Sequence, residues 1–218
     1  MWVRLPPRAP ELTPVFMNNW KKHTAFLKGA FSNLVEEIGS FDVVDSTLLP
    51  NGFKPHTRSI SWIAEQVILQ QAKVKAKKLG FKDVIFSERD TDVFDCVVLP
   101  EEGGKIYVNV KVTNIDGKHN KNDISAAERL YNFLIDHNDG PLFYVVMGIQ
   151  FKNTKILFPK EQVLVFTPVL LPEIYVNPKN AKLQAYYDAP PVERTTQDFL
   201  ELLYSASRKK RIRFSKRH

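Results

Sequence analysis

The chain has 218 residues, 44% hydrophobic and 25% charged, with one cysteine. This is the composition of an ordinary folded domain. It excludes disorder, collagen and coiled coil as the main architecture, and the lone Cys96 excludes an internal disulfide framework and a cysteine-based zinc site. The net charge of +7 has one source: residues 208–218 carry seven Lys and Arg and no acid, and setting these aside leaves 24 basic against 24 acidic residues.

Pro6, Pro7, Pro10 and Pro14 forbid a continuous helix over residues 1–14, which are read as an extended arm. Phe16, Trp20, Leu27, Phe31, Leu34 and Ile38 lie at helical spacings, so a helix is expected over 16–38 and stops at Gly39. Residues 40–58 read as a loop. A second helix is expected from Ser61 to Leu79. Glu65 lies in or near its first turn, Lys77 and Lys78 in its last, and Gly80 ends it.

The period then becomes that of strands. Lys82–Phe86, Val93–Leu99 and Lys105–Val112 are β-rich, and the last two flank Pro100-Glu101-Glu102-Gly103-Gly104, which reads as a hairpin loop. Asp90 and Asp92 read as turn residues, and residues 114–122 as a polar loop. Ser125 and Glu128 form a capping box opening a helix to about Asp136. Leu142–Phe151 reads as a buried strand, short strands follow near 154–158, 162–167 and 182–187, and Thr195 starts a last helix. The order predicts an α/β fold, a mixed β-sheet flanked by helices, in a single domain over 1–218.

The longest apolar run, Leu142 to Ile149, falls short of the about 20 residues that a membrane helix needs. The segment Met1–Pro7 has no apolar signal core, so a cytoplasmic chain without membrane association is expected.

The hairpin carries the chemistry. Alternation puts Ile106, Val108 and Val110 on a buried face and Tyr107, Asn109 and Lys111 on the other. If residues 100–104 form the loop, Leu99 faces Lys105 and Asp95 faces Asn109, with Cβ atoms roughly 5 Å apart. A carboxylate, an amide and an ammonium then converge. Phosphodiester hydrolysis uses such a group: a carboxylate holds a divalent cation, and a lysine positions or helps deprotonate the attacking water. The main-chain carbonyl of Val110 is a further oxygen for Mg²⁺.

Asp95 followed by Asn109-Val110-Lys111 resembles the PD-(D/E)xK nuclease motif. Thr113-Asn114-Ile115-Asp116, Gly140-Pro141-Leu142-Phe143-Tyr144-Val145-Val146, Asn177-Pro178-Lys179, Leu183-Gln184-Ala185 and Arg194-Thr195 with Asp198-Phe199 are similar to type II restriction endonucleases of the SwaI kind. The resemblance implies a restriction-endonuclease-like fold and Mg²⁺-dependent, site-specific cleavage of double-stranded DNA by a homodimer. Asp95 and Lys111 would be catalytic, Glu65 would reach the metal from its helix, and Asn109 would take the second ligand position.

The family expects Asp or Glu at position 109. Three readings of Asn109 stay open: an Asp-to-Asn change, a variant in which Asp95, Glu65 and the Val110 carbonyl suffice, or a chain without activity. Candidate DNA contacts are Asn114, Lys118, His119, Asn120, Lys121 and Asn122 in the polar loop, with Lys179, Lys182, Gln184 and Arg194 as a second set. A DNA-binding protein without catalysis, and a repair or mobile-element nuclease of the same fold, are the alternatives.

Overall fold

A computed structural model describes residues 20–45, 47–48, 57–89, 91–115, 122–159, 161–186, 189–210, 212 and 214. In chain order its elements are α1 (Trp20–Ile38), β1 (Ser40–Asp42), α2 (Thr57–Val74), β2 (Phe81–Phe86), β3 (Cys96–Pro100), β4 (Ile106–Asn114), β5 (Asn122–Ala126), α3 (Ala127–Asp136), β6 (Leu142–Lys152), β7 (Lys155–Leu157), β8 (Val163–Phe166), β9 (Tyr175–Val176), β10 (Lys182–Ala185) and α4 (Thr196–Lys209). The expected arm over 1–14 and Phe16 lie outside the described residues. The chain forms two compact units: residues 21–120 with 140–168, and residues 1–20, 121–139 and 169–218.

The larger unit is built on a mixed sheet in the order β1-β7-β6-β4-β3-β2, with β8 also paired to β6. β4 and β6 run parallel from Tyr107↔Leu142 to Asn114↔Ile149, and the other pairs are antiparallel. Being central, β4 and β6 are buried along most of their length. Tyr107 and Asn109 are buried as fully as Ile106, Val108 and Val110, so the expectation that only one face of β4 is buried is corrected.

Helix α1 buries Leu27, Phe31 and Leu34 of the expected stripe together with Ala30 and Val35, while Trp20 and Ile38 are half-buried, and Gly39 (φ 61°) turns the chain out of it. Helix α2 buries Ile60, Ala64, Ile68, Leu69 and Ala72. It starts four residues before the expected Ser61 and gives way to a 3₁₀ turn, Ala76–Leu79, which Gly80 ends in the left-handed conformation at φ 77°. Glu65 therefore lies in the third turn of α2, not the first. Asp92 is a turn residue, accepting a hydrogen bond from Ser87 Oγ; Asp90 lies outside the described residues.

The smaller unit holds a three-stranded sheet, β5-β10-β9, with α3 and α4. The short strands β1, β5 and β9 go beyond what the sequence pattern predicts. The capping box at Ser125 does not form: Ser125 is paired with Leu183 in the sheet, and the N-cap of α3 is Ala126, which makes no side-chain bond. Thr195 does cap α4. Its hydroxyl accepts from the Asp198 N–H and the Asp198 carboxylate accepts from the Thr195 N–H, a complete capping box.

Candidate active site

The site forms where β4 outruns its neighbour. The β3–β4 ladder pairs Val98 with Ile106, Val97 with Tyr107 and Cys96 with Val108, the register that a five-residue loop predicts, and it ends there. The ladder of β4 with β6 runs on to Asn114. Past Val108, the β3-side edge of β4 therefore needs other partners for its N–H groups. Two carboxylates supply them. Asp95, directly before β3, gives its N–H to the Val108 carbonyl at 2.8 Å and accepts the Val110 N–H on Oδ2 at 2.6 Å. Glu65 reaches from α2, which packs on β4, and accepts the Val112 N–H on Oε1 at 3.2 Å. The N–H and C=O of one residue in an extended strand point the same way, so the Val110 carbonyl faces this edge too.

Asn109 is 5% exposed. Its Nδ2 donates to the Val93 carbonyl at 2.9 Å, which fixes the amide: the opposite orientation would set oxygen against oxygen. Its Oδ1 is buried and accepts no hydrogen bond from the described residues. A buried acceptor left open costs about 1–3 kcal/mol, and a donor or cation brought to it removes that cost.

The electrostatics bind these groups together. Burial pushes the Glu65 carboxyl up to about 7, with Asp95 adding to the rise while Lys111 and the Val112 N–H oppose it. Burial likewise raises Asp95, against the pull of Lys111 and the Val110 N–H. Two desolvated acids thus sit in the field of one lysine, which favours their charged forms against the cost of burial. Cys96 is fully buried and its thiol is pushed up by burial, as suits an inert core residue.

The structure thus sets Asp95 and Glu65 on successive N–H groups of one strand edge, at Val110 and Val112, within the electrostatic reach of Lys111, while Asn109, on the same strand, is tied to the Val93 carbonyl. Among the described residues no group of three or more His, Cys, Asp or Glu is set to hold a metal. The oxygen donors here are two carboxylates, an amide and a main-chain carbonyl.

The proposed DNA contacts are scattered by comparison. Asn114 ends β4 and is exposed. Lys118, His119, Asn120 and Lys121 lie outside the described residues. Asn122 opens β5, and nothing is described of its side chain. Lys179, Lys182, Gln184 and Arg194 belong to the smaller unit. There Asp123, which no sequence motif singles out, engages two of them: Gln184 Nε2 donates to its Oδ1 at 2.6 Å, and Lys182 Nζ lies 3.8 Å from Oδ2. Lys179 is exposed, and Arg194 is half-buried with a buried Nη1 that has no hydrogen-bond partner. The main-chain partners at Val93 and Val112 also escape the sequence, since main-chain groups leave no residue-type signal.

No family model matches the chain, and no curated protein matches it. Among solved structures it is similar to "NlaIV restriction endonuclease", with 9% sequence identity and a TM-score of 0.48 over 91% of this chain and 80% of that one. At that identity and score the likeness assigns no residue and no chemistry. Among the described residues no helix is long and apolar enough to cross a membrane.

Proposed function

We propose that the chain is a Mg²⁺-dependent endonuclease of double-stranded DNA, with the PD-(D/E)xK arrangement on a restriction-endonuclease-like fold. The observation that carries this reading is the pair of desolvated carboxylates, Asp95 and Glu65, held on the Val110 and Val112 N–H groups of β4 within the electrostatic reach of Lys111. The donor set fits a hard divalent cation, which takes oxygen ligands and keeps several waters. Asp95 Oδ1, Glu65 Oε2, Asn109 Oδ1 and the Val110 carbonyl would hold it. When bound, it supplies positive charge against the negative charge that develops on the phosphoryl oxygens.

The chain's own groups do the rest. The Val110 and Val112 N–H groups each fix one oxygen of a carboxylate, so the other oxygen is oriented rather than free to rotate. The Val93 carbonyl fixes Asn109 in the same sense. Lys111, on the same strand, orients the attacking water and donates from Nζ to an oxygen of the scissile phosphate. Site-specific, type II action by a homodimer follows from the same reading, because a two-fold protein matches a palindromic site.

One observation favours a second reading. Position 109 holds a neutral amide, a poorer Mg²⁺ ligand than a carboxylate, which suits a DNA-binding protein without catalysis. Thermal unfolding with EDTA, Mg²⁺ and Ca²⁺ separates them. The nuclease reading expects stabilisation by the cations that is lost in Asp95→Ala. Equal unfolding in all three solutions would remove the cation site and leave the binding reading.

A further inference from the structure

The sheet of the larger unit ends on β2, and among the described residues no strand pairs with its outer side. The β2–β3 ladder pairs Asp83 with Leu99 and Ile85 with Val97, and the Ser87 N–H continues it to the Asp95 carbonyl at 2.9 Å. Alternate residues of a strand turn their main-chain groups to opposite sides, so Val84 and Phe86 turn theirs away from β3. At Val84 both groups are taken by side chains. The Asp83 carboxylate accepts the Val84 N–H on Oδ1 at 2.7 Å, and Lys73 Nζ, from the last turn of α2, donates to the Val84 carbonyl at 2.7 Å. Lys73 Nζ also lies 3.3 Å from Asp83 Oδ1 and 5.5 Å from the centre of the Phe86 ring.

Ile85, between Val84 and Phe86, is 48% exposed. A strand edge that carries an exposed apolar residue and open main-chain groups is a template for a second strand. Here the template fits itself. With Ile85 of two copies opposite each other in an antiparallel pair, Ile85 takes a non-hydrogen-bonded position, where side chains come closest. The hydrogen-bonded pairs on either side then join Val84 of each copy to Phe86 of the other. That pairing needs the N–H and the carbonyl of Val84, the two groups that Asp83 and Lys73 hold. We infer that Lys73 and Asp83 form a guard over the β2 edge, which keeps it from pairing with β2 of a second copy of this chain. As a half-exposed ion pair they add little stability, and their effect lies in occupying the edge. The guard stands whether or not the chain cuts DNA, and it leaves any two-fold assembly of the chain to other surfaces.

The test is the mass of the full chain by sedimentation velocity at about 10–500 μM, beside a variant carrying Lys73→Ala and Asp83→Ala. The double variant should sediment at twice the parent's mass at the upper concentrations and return to the parent's mass on dilution. In the associated form the Val84 amide proton should exchange with solvent more slowly than in the diluted variant. Adding Ile85→Lys sets like charges opposite each other and should restore the parent's mass at every concentration. Lys73→Ala alone frees only the Val84 carbonyl and should associate in the same way but more weakly.

The parent's mass throughout in the double variant, shown to be folded by cooperative thermal unfolding, overturns the inference. So does association that persists with Ile85→Lys, which would place the contact on another surface. If the double variant does not fold, Lys73→Ala alone decides: association reversed by Ile85→Lys upholds the guard, and the parent's mass ends it.

Discussion

Glu65→Gln should change how stability depends on pH in a calculable way. In the cation-free chain Glu65 titrates at about 7, against 4.5 for an ordinary glutamate. The folded-state value is the higher one, so the stability it reflects is fully present below pH 4.5 and is lost as pH rises through 7. That rise corresponds to about 3 kcal/mol, an upper figure because water reaches the partly exposed site. For a chain of this size it amounts to roughly 5–10 °C in melting temperature. The amide of the variant would keep an oxygen for the Val112 N–H and carry no charge, so the variant lacks this loss. Asp95 is shifted in the same direction but is present in both proteins, so the difference between them isolates Glu65. The assay is thermal unfolding in EDTA from about pH 4.5 to 8.5. The variant should gain on the parent as pH rises, with most of the gain between about pH 5 and 8. Saturating Mg²⁺ should restore the parent at the alkaline end and do less for the variant. Parallel pH profiles would refute the picture of a desolvated Glu65 carboxylate at the edge of β4.

Other substitutions test other parts of the account. Asn109→Asp sets a carboxylate against the Val93 carbonyl, so in EDTA it should unfold about 1–3 kcal/mol more easily, and it should gain more from Mg²⁺ than the parent does. Equal gain in a calorimetric titration would remove position 109 from the cation site. Gly140→Ala would place a Cβ 2.5 Å from the Lys105 carbonyl oxygen, a main-chain atom that cannot easily yield. It should cost about 1–3 kcal/mol in denaturant unfolding, and a neutral result would mean that this approach to β6 is looser than described. Thr195→Ala removes one half of the α4 capping box and should cost about 1 kcal/mol by the same measurement.

The β3–β4 register is legible because the five-residue loop and the alternation along β4 agree on one pairing, which the ladder keeps as far as Cys96↔Val108. The burial of Asn109 was not legible. Alternation puts it on the polar face of an isolated hairpin, whereas β4 is a central strand paired to β6 and packed against α2. Glu65 is legible by type but not by its place along the helix, since α2 begins at Thr57, four residues before the expected start. Ser125 shows local signal losing to tertiary pairing: its capping pattern is sound, but the partner strand β10 claims it. The role of Asp123 depends on Gln184 and Asn180, which lie far along the chain and meet it only in the folded sheet, so no local pattern points to it.

The most direct test of the site is cleavage of long DNA of mixed sequence in Mg²⁺ by the chain itself, by Asn109→Asp, and by Lys111→Ala introduced into Asn109→Asp. The account predicts discrete fragments from Asn109→Asp, equal or weaker cutting by the chain as it stands, and none once Lys111 is removed or EDTA is added. Intact DNA from every form, or cutting that survives the loss of Lys111, would contradict it.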